Sequence, residues 1–346
     1  MKTRDMKTPR YRLTLALAAL VLPVGWAAQA QSQAQSPAQS PAQSPEFPIK
    51  GKPVRVIVAF PPGIGVDAQA RAVTPKLAEI LGVPVVIENK PGGGTLLAAN
   101  EVMKSAPDGH TIFYSASSTM AQIPHTLKAA TFDPMTEFTP ITIGAKGPLV
   151  VVVNAALGVN NIRELVAYGK ANPGKLSYAS FGTGTSAHIF GETFKANAGI
   201  EMEHIPYKGG ADLAADLIEG RVQVAFDAAP AAIQNSKSGK ARIIGVAAPT
   251  RSPFLPDVPT VLEQGVKDVD ITSFLGWFGP KGMHPDVVKK LNAALAQSIA
   301  QPSVQEFFKT GAYTAESSTP EALMSEVRDS HARWGALVQR IGIPKQ

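Results

Sequence analysis

The sequence predicts an α/β fold with two lobes, each built around a largely parallel sheet. Apolar runs typical of buried strands alternate with amphipathic helical stretches. The alternation occurs in two separate series, one that starts at Val54 and one that starts at Leu149. About 300 residues remain after the N-terminal segments described next, which is large for a single core and suits two lobes.

The first thirty residues are typical of a secretory signal peptide. Five basic residues precede an apolar run over residues 13–26, and Ala28-Gln29-Ala30 gives a small-x-small cleavage pattern. The apolar run is shorter than the roughly 20 residues that span a membrane. The sequence contains no cysteine, which excludes a lipid-anchored cysteine and a disulfide framework. We therefore expect a soluble, exported protein.

The next segment, residues 31–47, repeats Gln, Ser, Pro and Ala, and we interpret it as a disordered linker. The whole chain carries 33 Lys and Arg against 27 Asp and Glu, but the leader holds five of the bases and one acid. The mature chain is thus close to neutral, and its basic residues form no stripe. This distribution argues against a nucleic-acid partner.

In the first series, a strand over residues 54–60 is followed by a helix over 66–81, which Gly82 ends and Pro75 is expected to kink. Further strands are expected at 84–87 and 111–114, with a helix between them. We assign residues 48–148 and 250–346 to lobe 1.

The second series, residues 149–249, forms the predicted lobe 2. Strands are expected at 149–153, 176–180, 203–207, 222–226 and 243–247, with helices after Asn161, after the loop 181–188 and after Gly210. The remaining tail is predicted to be helical. One helix has apolar residues at 288, 291, 295 and 299, and a last helix is capped by Thr319 with Pro320 at its first position.

Four strand-to-helix junctions are rich in glycine: residues 62–65, 91–94, 182–185 and 209–210. Such junctions direct unpaired backbone N–H groups and a helix dipole toward an anion. Glycine also makes tight turns for purely structural reasons, so a single junction decides nothing. Four in one chain favour a shared anion site.

Several polar side chains stand beside these junctions. Asp67 and His188 lie in the first turns of helices, where a cap or a backbone contact explains them equally well. Tyr207 and Asp227 each end a strand, and Ser117 follows another. The candidate ligand-binding residues are Gly63, Ile64, Gly65, Val66, Asp67, Ser117, Ser180, Gly182, Thr183, Gly184, Thr185, Ser186, His188, Tyr207 and Asp227.

The loop that starts at Gly182 also matches the dinucleotide-binding pattern G-x-G-x-x-[GA], with Glu201 or Glu203 near the expected position of a ribose-binding acid. An exported dehydrogenase is therefore the alternative to a binding protein. There is no G-x-S-x-G motif, and no two histidines have zinc-site spacing. We predict no catalytic residue, no cofactor and no metal.

Several short stretches occur in order along the mature chain and together carry a family resemblance. They are Lys52-Pro-Val-Arg-Val-Ile-Val58, Pro61-Pro-Gly63, Val86-Ile-Glu-Asn-Lys-Pro-Gly92, Ala106-Pro-Asp-Gly109, Ala171-Asn-Pro-Gly-Lys-Leu-Ser-Tyr-Ala-Ser180, Gly182-Thr-Gly-Thr185 with His188, Pro206-Tyr-Lys-Gly209 and Leu255-Pro-Asp-Val-Pro-Thr260. With them the sequence resembles the Bug receptors, the periplasmic binding components of tripartite tricarboxylate transporters.

The resemblance implies a type II periplasmic-binding-protein fold with a ligand cleft between the lobes. It also implies a carboxylate ligand held by amides and hydroxyls of one loop from each lobe, residues 63–67 and 182–186. The expected partners are membrane transporter subunits, or a sensor kinase that reads the liganded receptor, and the expected state is a periplasmic monomer.

The sequence departs from the family pattern at three places. Thr95 and Ala98 replace glycines, Pro75 interrupts a helix, and Ile64 stands where a second glycine is usual. Isoleucine strongly disfavours positive φ. If the Ile64 side chain faces the solute it favours a ligand with a hydrophobic or aromatic body, and if it packs into lobe 1 it leaves the site unchanged.

Overall fold

The computed structural model describes residues 46–63, 65–208, 210–267, 269 and 272–346. The predicted signal peptide, residues 31–45 of the linker and Ile64 lie outside the described residues. Phe47, which the sequence assigned to the linker, is only 4% exposed, and its ring meets His110 edge-on at 5.3 Å. The linker therefore ends before Phe47, because this ring joins the core.

The first parallel set has the strand order β2–β1–β3. Its elements are β1 (Val54–Val58), α1 (Val66–Leu81), β2 (Val85–Asn89), α2 (Leu96–Met103), β3 (Thr111–Ala116) and the short helices α3 (Ile123–Thr126) and α4 (Pro134–Glu137). Helix α1 has the bounds that the sequence predicts. It ends at Gly82, whose left-handed conformation (φ 68°) closes the last turn, and it continues through Pro75.

A single long strand, β4 (Phe138–Asn154), passes through both lobes. Residues 138–148 pair antiparallel with β9 (Thr272–Pro280), whereas residues 149–154 pair antiparallel with β7 (Val224–Ala228) and β8 (Ala241–Ala247). The sequence predicted only the second half of β4 and did not predict β9. In the first half, Pro140 and Gly144 break the strand pattern, and the pairing register shifts at both places.

The second parallel set has the order β7–β5–β6. Its remaining elements are α5 (Ile162–Ala171), β5 (Ser177–Ser180), α6 (Ser186–Ala198), β6 (Glu203–Pro206), α7 (Gly210–Ile218) and α8 (Ala229–Ser236). The predicted cap of α5 is confirmed, because Asn161 Oδ1 accepts the Glu164 N–H at 2.9 Å. Two parallel sets joined by antiparallel crossover strands give the predicted two-lobed α/β fold.

The tail contains α9 (Pro285–Ile299), α10 (Pro302–Thr310), the two-residue strand β10 (Thr314–Ala315) and α11 (Pro320–Ile341). The predicted apolar face of α9 is buried, and Thr319 caps α11 by accepting the Ala322 N–H. Within the described residues, no helix is both long and apolar enough to cross a membrane.

The predicted assignment of residues 250–346 to lobe 1 is partly wrong. Leu323 and Val327 at the start of α11 pack against lobe 1, but Trp334 and Val338 near its end pack in the core of lobe 2. Val261 also belongs to the lobe 2 core. The segment after β8 therefore stays with lobe 2, and α11 bridges both lobes.

Candidate functional site

A cleft of about 230 Å³ lies between the two parallel sets, and both lobes contribute to its walls. The walls are formed by segments that follow the carboxyl ends of β1, β3, β5, β6 and β7, where ligands bind in sheets of this kind. The N-termini of α1, α6, α7 and α8 reach the same cleft. Of the four glycine-rich junctions, the one at residues 91–94 does not contribute.

The lobe 1 loop is shaped by Asp67, whose side chain is fully buried. Its carboxylate accepts the Gly63 N–H at 2.7 Å, the Arg71 Nε–H at 2.8 Å and the Asn89 amide at 2.8 Å. Burial opposes ionisation, but these donors, above all Arg71, keep the pKa of Asp67 below its ordinary value. Asp67 therefore holds the loop, and its oxygens are not directed to a ligand.

The backbone of this loop leads directly into α1. Gly63 and Gly65 have φ of 110° and 62°, a region that side chains strongly disfavour. A Cβ added to either glycine would contact nothing within 4 Å. The glycines therefore serve the backbone path, and Gly65 and Val66 line the cleft where α1 begins.

Two residues of lobe 1 that are not among the candidate ligand-binding residues also line the cleft. Gln69, one turn into α1, is 4% exposed, and its side-chain oxygen accepts the Tyr114 hydroxyl at 3.1 Å. Ser118 lines the cleft in place of the predicted Ser117, whose hydroxyl lies 3.1 Å from that of Ser273. A five-residue π-helical turn over residues 118–122 gives Ser118 this orientation, and the sequence pattern does not reveal it.

In lobe 2, the loop after β5 contributes Thr185 and Ser186 to the cleft. Thr185 is the residue before α6, and its hydroxyl donates to the Gly182 carbonyl at 2.7 Å, which tightens the loop. Ser186 is the first residue of α6. The first-turn N–H groups of such a helix have no intrahelical partner and face the cleft side of the helix end.

Ser118 and Ser186 stand out because they come from opposite lobes. Each is more than nine-tenths buried, with 4% and 7% of its surface exposed, and each lines the cleft. Neither hydroxyl forms a hydrogen bond with any described residue. Neither oxygen is sealed from solvent, so both hydroxyls are open to the cleft, and the pair is suited to a bound acceptor such as a carboxylate.

His188 and His204 support the lobe 2 loop from behind and do not line the cleft. His188 Nδ1 accepts the Gly184 N–H at 3.1 Å, and His204 Nε2 lies 2.7 Å from the Ser180 hydroxyl. The two imidazoles stack with their centroids 4.1 Å apart. Burial lowers the pKa of His188, and burial together with His188 lowers the pKa of His204 to about 4, so both rings are neutral at pH 7.

The remaining loop residues make structural contacts. The Gly184 carbonyl accepts the Thr126 hydroxyl at 3.2 Å, and a Cβ on Gly184 would lie 2.4 Å from Thr126 Oγ1. A Cβ on Gly94 would lie 3.3 Å from the Thr183 carbonyl oxygen. Gly184 and Gly94 are therefore needed for contact between the lobes, whereas the sequence suggested that they approach a ligand.

Tyr207 and Asp227 also lie outside the cleft wall. The Tyr207 hydroxyl donates to Asp216 at 2.6 Å, and burial and this bond raise its pKa to about 12. Asp227 is fully buried, and neither of its oxygens has a hydrogen-bond partner among the described residues. Burial raises the pKa of Asp227 to about 7, which the adjacent Ala228 N–H opposes only in part.

The structure thus brings four of the predicted residues together at the cleft, namely Gly65, Val66, Thr185 and Ser186. The other described candidates do not line the cleft, and several of them shape its loops from behind. Sequence reasoning missed the aromatic and aliphatic walls that the cleft takes from both lobes, because side chains at the ends of several distant strands form them.

The model of the tripartite tricarboxylate transporter family receptor matches residues 69–343. Protein BugT of Bordetella pertussis is 30% identical over 292 residues, which cover 84% of this chain and 90% of BugT.

Two solved structures have the same fold. The periplasmic binding protein BugD is 32% identical with a TM-score of 0.81, and the match covers 85% of this chain and 99% of BugD. Rpa4515 of R. palustris, solved with adipate, is 28% identical with a TM-score of 0.83, and the match covers 87% and 100% of the two chains.

Proposed function

Because the chain belongs to the tripartite tricarboxylate transporter receptor family, we propose that it is an exported periplasmic receptor that captures a small carboxylate and delivers it to membrane transporter subunits. The adipate in the Rpa4515 structure supports a carboxylate ligand. The predicted leader supports export.

The pair Ser118 and Ser186 carries the proposal. Both residues are more than nine-tenths buried, their hydroxyls are open to the cleft without a described partner, and they come from opposite lobes. Helix α6, which begins at Ser186, has no acidic residue in its first turn, so its positive end is uncompensated. A carboxylate between the two serines accepts both hydroxyls and the free N–H groups of α6, and thereby joins the lobes.

The geometry argues against the dehydrogenase alternative. A dinucleotide site requires the ribose-binding acid at the carboxyl end of the strand beside the glycine loop. Glu203 instead begins β6 and pairs with Ser177, whereas the loop follows Ser180 at the other end of β5. At about 3.3 Å per residue, the acid lies roughly 10 Å from the loop along the strand.

The test is ligand binding by a variant that places a negative charge at the proposed carboxylate position. Ser186→Asp is expected to abolish carboxylate binding, because its side chain occupies the same N–H groups and repels the anion. Ser303→Asp is the matched control, since Ser303 is exposed in the first turn of α10, away from the cleft. It should bind as wild type does.

Binding is read from thermal shifts and calorimetry with mono-, di- and tricarboxylates. A ligand at one hundred times its Kd stabilises the fold by about 2.7 kcal/mol. Carboxylate binding that survives Ser186→Asp would place the site elsewhere. A thermal shift with a nicotinamide dinucleotide and with no carboxylate would instead support the enzyme.

Delivery to a transporter is tested in cells that lack the receptor gene. Uptake of the labelled ligand should be lost on deletion and restored by wild type but not by Ser186→Asp. Normal uptake together with a lost transcriptional response would assign the receptor to a sensor kinase.

A further inference from the structure

The cleft carries few charges, and they balance. Among the described residues that line it, only Lys208 and Asp212 have ionised side chains, one of each sign, and both are exposed. Attraction for an anion therefore comes mainly from helix N-termini and hydroxyls. These helix N-termini and hydroxyls offer enough donors to hold one carboxylate but too few to hold two or three.

The four helix N-termini at the cleft are not equivalent. Helix α7 carries Asp212 in its first turn, and α1 carries the buried Asp67. Helix α8 starts with Ala229 and Pro230, and proline has no N–H to donate. Helix α6 has no acid in its first turn, and Ser186, which is 7% exposed, presents an unpartnered hydroxyl to the cleft. A single carboxylate is therefore best placed at α6.

Most of the remaining cleft wall is apolar. Phe60 from lobe 1 and Phe181 from lobe 2 line it, together with Leu149, Leu275 and the ring of Tyr313 on the crossover side. A second carboxylate against these apolar side chains would lose its hydration without gaining a partner there. The one cation among the described lining residues, Lys208, is exposed, and Asp212 at the same cleft opposes its charge. The cleft volume of about 230 Å³ is below the roughly 300–1,000 Å³ of pockets for drug-sized ligands, which limits the solute to a compact body.

We propose that the cleft selects a monocarboxylate with a compact apolar body and discriminates against di- and tricarboxylates. This inference rests on the proposed function and specifies its ligand class. The carboxylate binds between Ser118 and Ser186 at the start of α6, and the apolar body contacts Phe60 and Phe181. Asp212 repels an acid group at the far end of the ligand.

The test compares four probes by calorimetry at pH 7 and constant ionic strength: butyrate, hexanoate, adipate and citrate. Hexanoate should bind about tenfold more tightly than butyrate, because two more methylenes are buried. It should also bind at least tenfold more tightly than adipate, which has the same chain length and a second carboxylate.

Three variants test the assigned roles. Phe60→Ala should remove most of the advantage of hexanoate over butyrate while butyrate binding is retained, which also shows that the variant is folded. Asp212→Asn should raise adipate affinity about fivefold and leave hexanoate unchanged. Glu219→Gln removes an exposed acid just after the other end of α7 and should change neither.

Tighter binding of adipate or citrate than of hexanoate would overturn the inference and leave the receptor function intact. Equal affinities for butyrate and hexanoate, or an Asp212→Asn variant with wild-type selectivity, would also overturn it. If none of the four probes binds, and no other carboxylate does, the proposed function itself fails.

Discussion

Asp227 makes the stability of the fold depend on pH in a direction opposite to that of most aspartates. It is fully buried in β7, its two oxygens have no hydrogen-bond partner among the described residues, and burial raises its pKa from 3.8 to about 7. Between these two values the folded protein holds a proton that the unfolded chain releases. The stability contributed by protonated Asp227 is therefore lost as the pH rises through this window.

The size of the effect follows from the shift. A difference of about three pKa units corresponds to about 4 kcal/mol in total, and about 3 kcal/mol of it falls between pH 5 and pH 8. The titratable neighbour, Tyr313, does not contribute there. Burial and the charge of Asp227 raise the pKa of Tyr313 above its ordinary value, so it stays neutral.

The perturbation is Asp227→Asn, which keeps the shape of the side chain and cannot ionise. The free energy of unfolding is measured with urea at pH 5, 6, 7 and 8 for wild type and variant. The variant should gain about 3 kcal/mol relative to wild type from pH 5 to pH 8, since all other titrations cancel in the comparison. Asp257→Asn, at an exposed aspartate, is the control and should show no such trend.

The reasoning would be refuted by parallel pH profiles for wild type and Asp227→Asn. Such profiles would mean that Asp227 is ionised in the folded state across the range and that it has a partner or hydration that offsets burial. A trend of the opposite sign would mean that the folded-state pKa is lowered, as it is for Asp67.

Three further predictions concern single positions. Gly184→Ala should destabilise the fold by about 2 kcal/mol more than Gly174→Ala in urea melts. Both glycines have positive φ, but only a Cβ at position 184 would collide with a neighbour, Thr126. Equal losses of stability in the two variants would contradict this. The lowered pKa of His204 means that its stabilising contribution is present above pH 6.5 and is lost as the pH falls toward 4. Over that range wild type should therefore lose up to about 3 kcal/mol more than His204→Gln does. Thr95→Gly should change the free energy of unfolding by less than about 1 kcal/mol, because two effects offset each other. The variant relieves the backbone strain of a β-branched residue at φ 89°, but it removes the hydrogen bond that Thr119 donates to Thr95. A loss above about 2 kcal/mol would show that the hydrogen bond outweighs the strain.

The sequence predicted helices better than strands, because the signals that end a helix lie close to it in the sequence. The bounds of α1 were confirmed because caps and glycine stops act within a few residues of the helix end. The loop before α6 was predicted too long, to His188, whereas the helix begins at Ser186. β9 and the first half of β4 were missed because Gly144, Gly147 and Gly276 break their apolar pattern. In the structure a Cβ at each of these glycines would collide with an aromatic ring, so tertiary packing selects glycine where strand propensity opposes it.

The site was predicted in outline and not in its side chains. Glycine-rich junctions correctly indicated helix N-termini that meet in one cleft, because strand ends of a parallel set share an edge. The polar residues beside those junctions serve the loops themselves: Asp67, Ser180 and His188 each accept a backbone N–H group. A buried polar side chain next to a tight turn most readily satisfies the backbone of that turn. Ser118 depends on a π-helical turn, and no sequence periodicity predicts that geometry.

These internal contacts have a consequence for affinity. The Asp67 carboxylate fixes the loop before α1, and the imidazole of His188 fixes the loop before α6, so the amides that face the cleft are oriented before a ligand arrives. Ordering a flexible loop on binding would cost free energy that rigid loops avoid. The two lobes use different chemistry for this purpose, an anion held by an arginine in lobe 1 and neutral stacked rings in lobe 2. Acidification toward pH 4 therefore loosens the lobe 2 loop, because it protonates His204, and the proposed carboxylate site at α6 weakens with that loop.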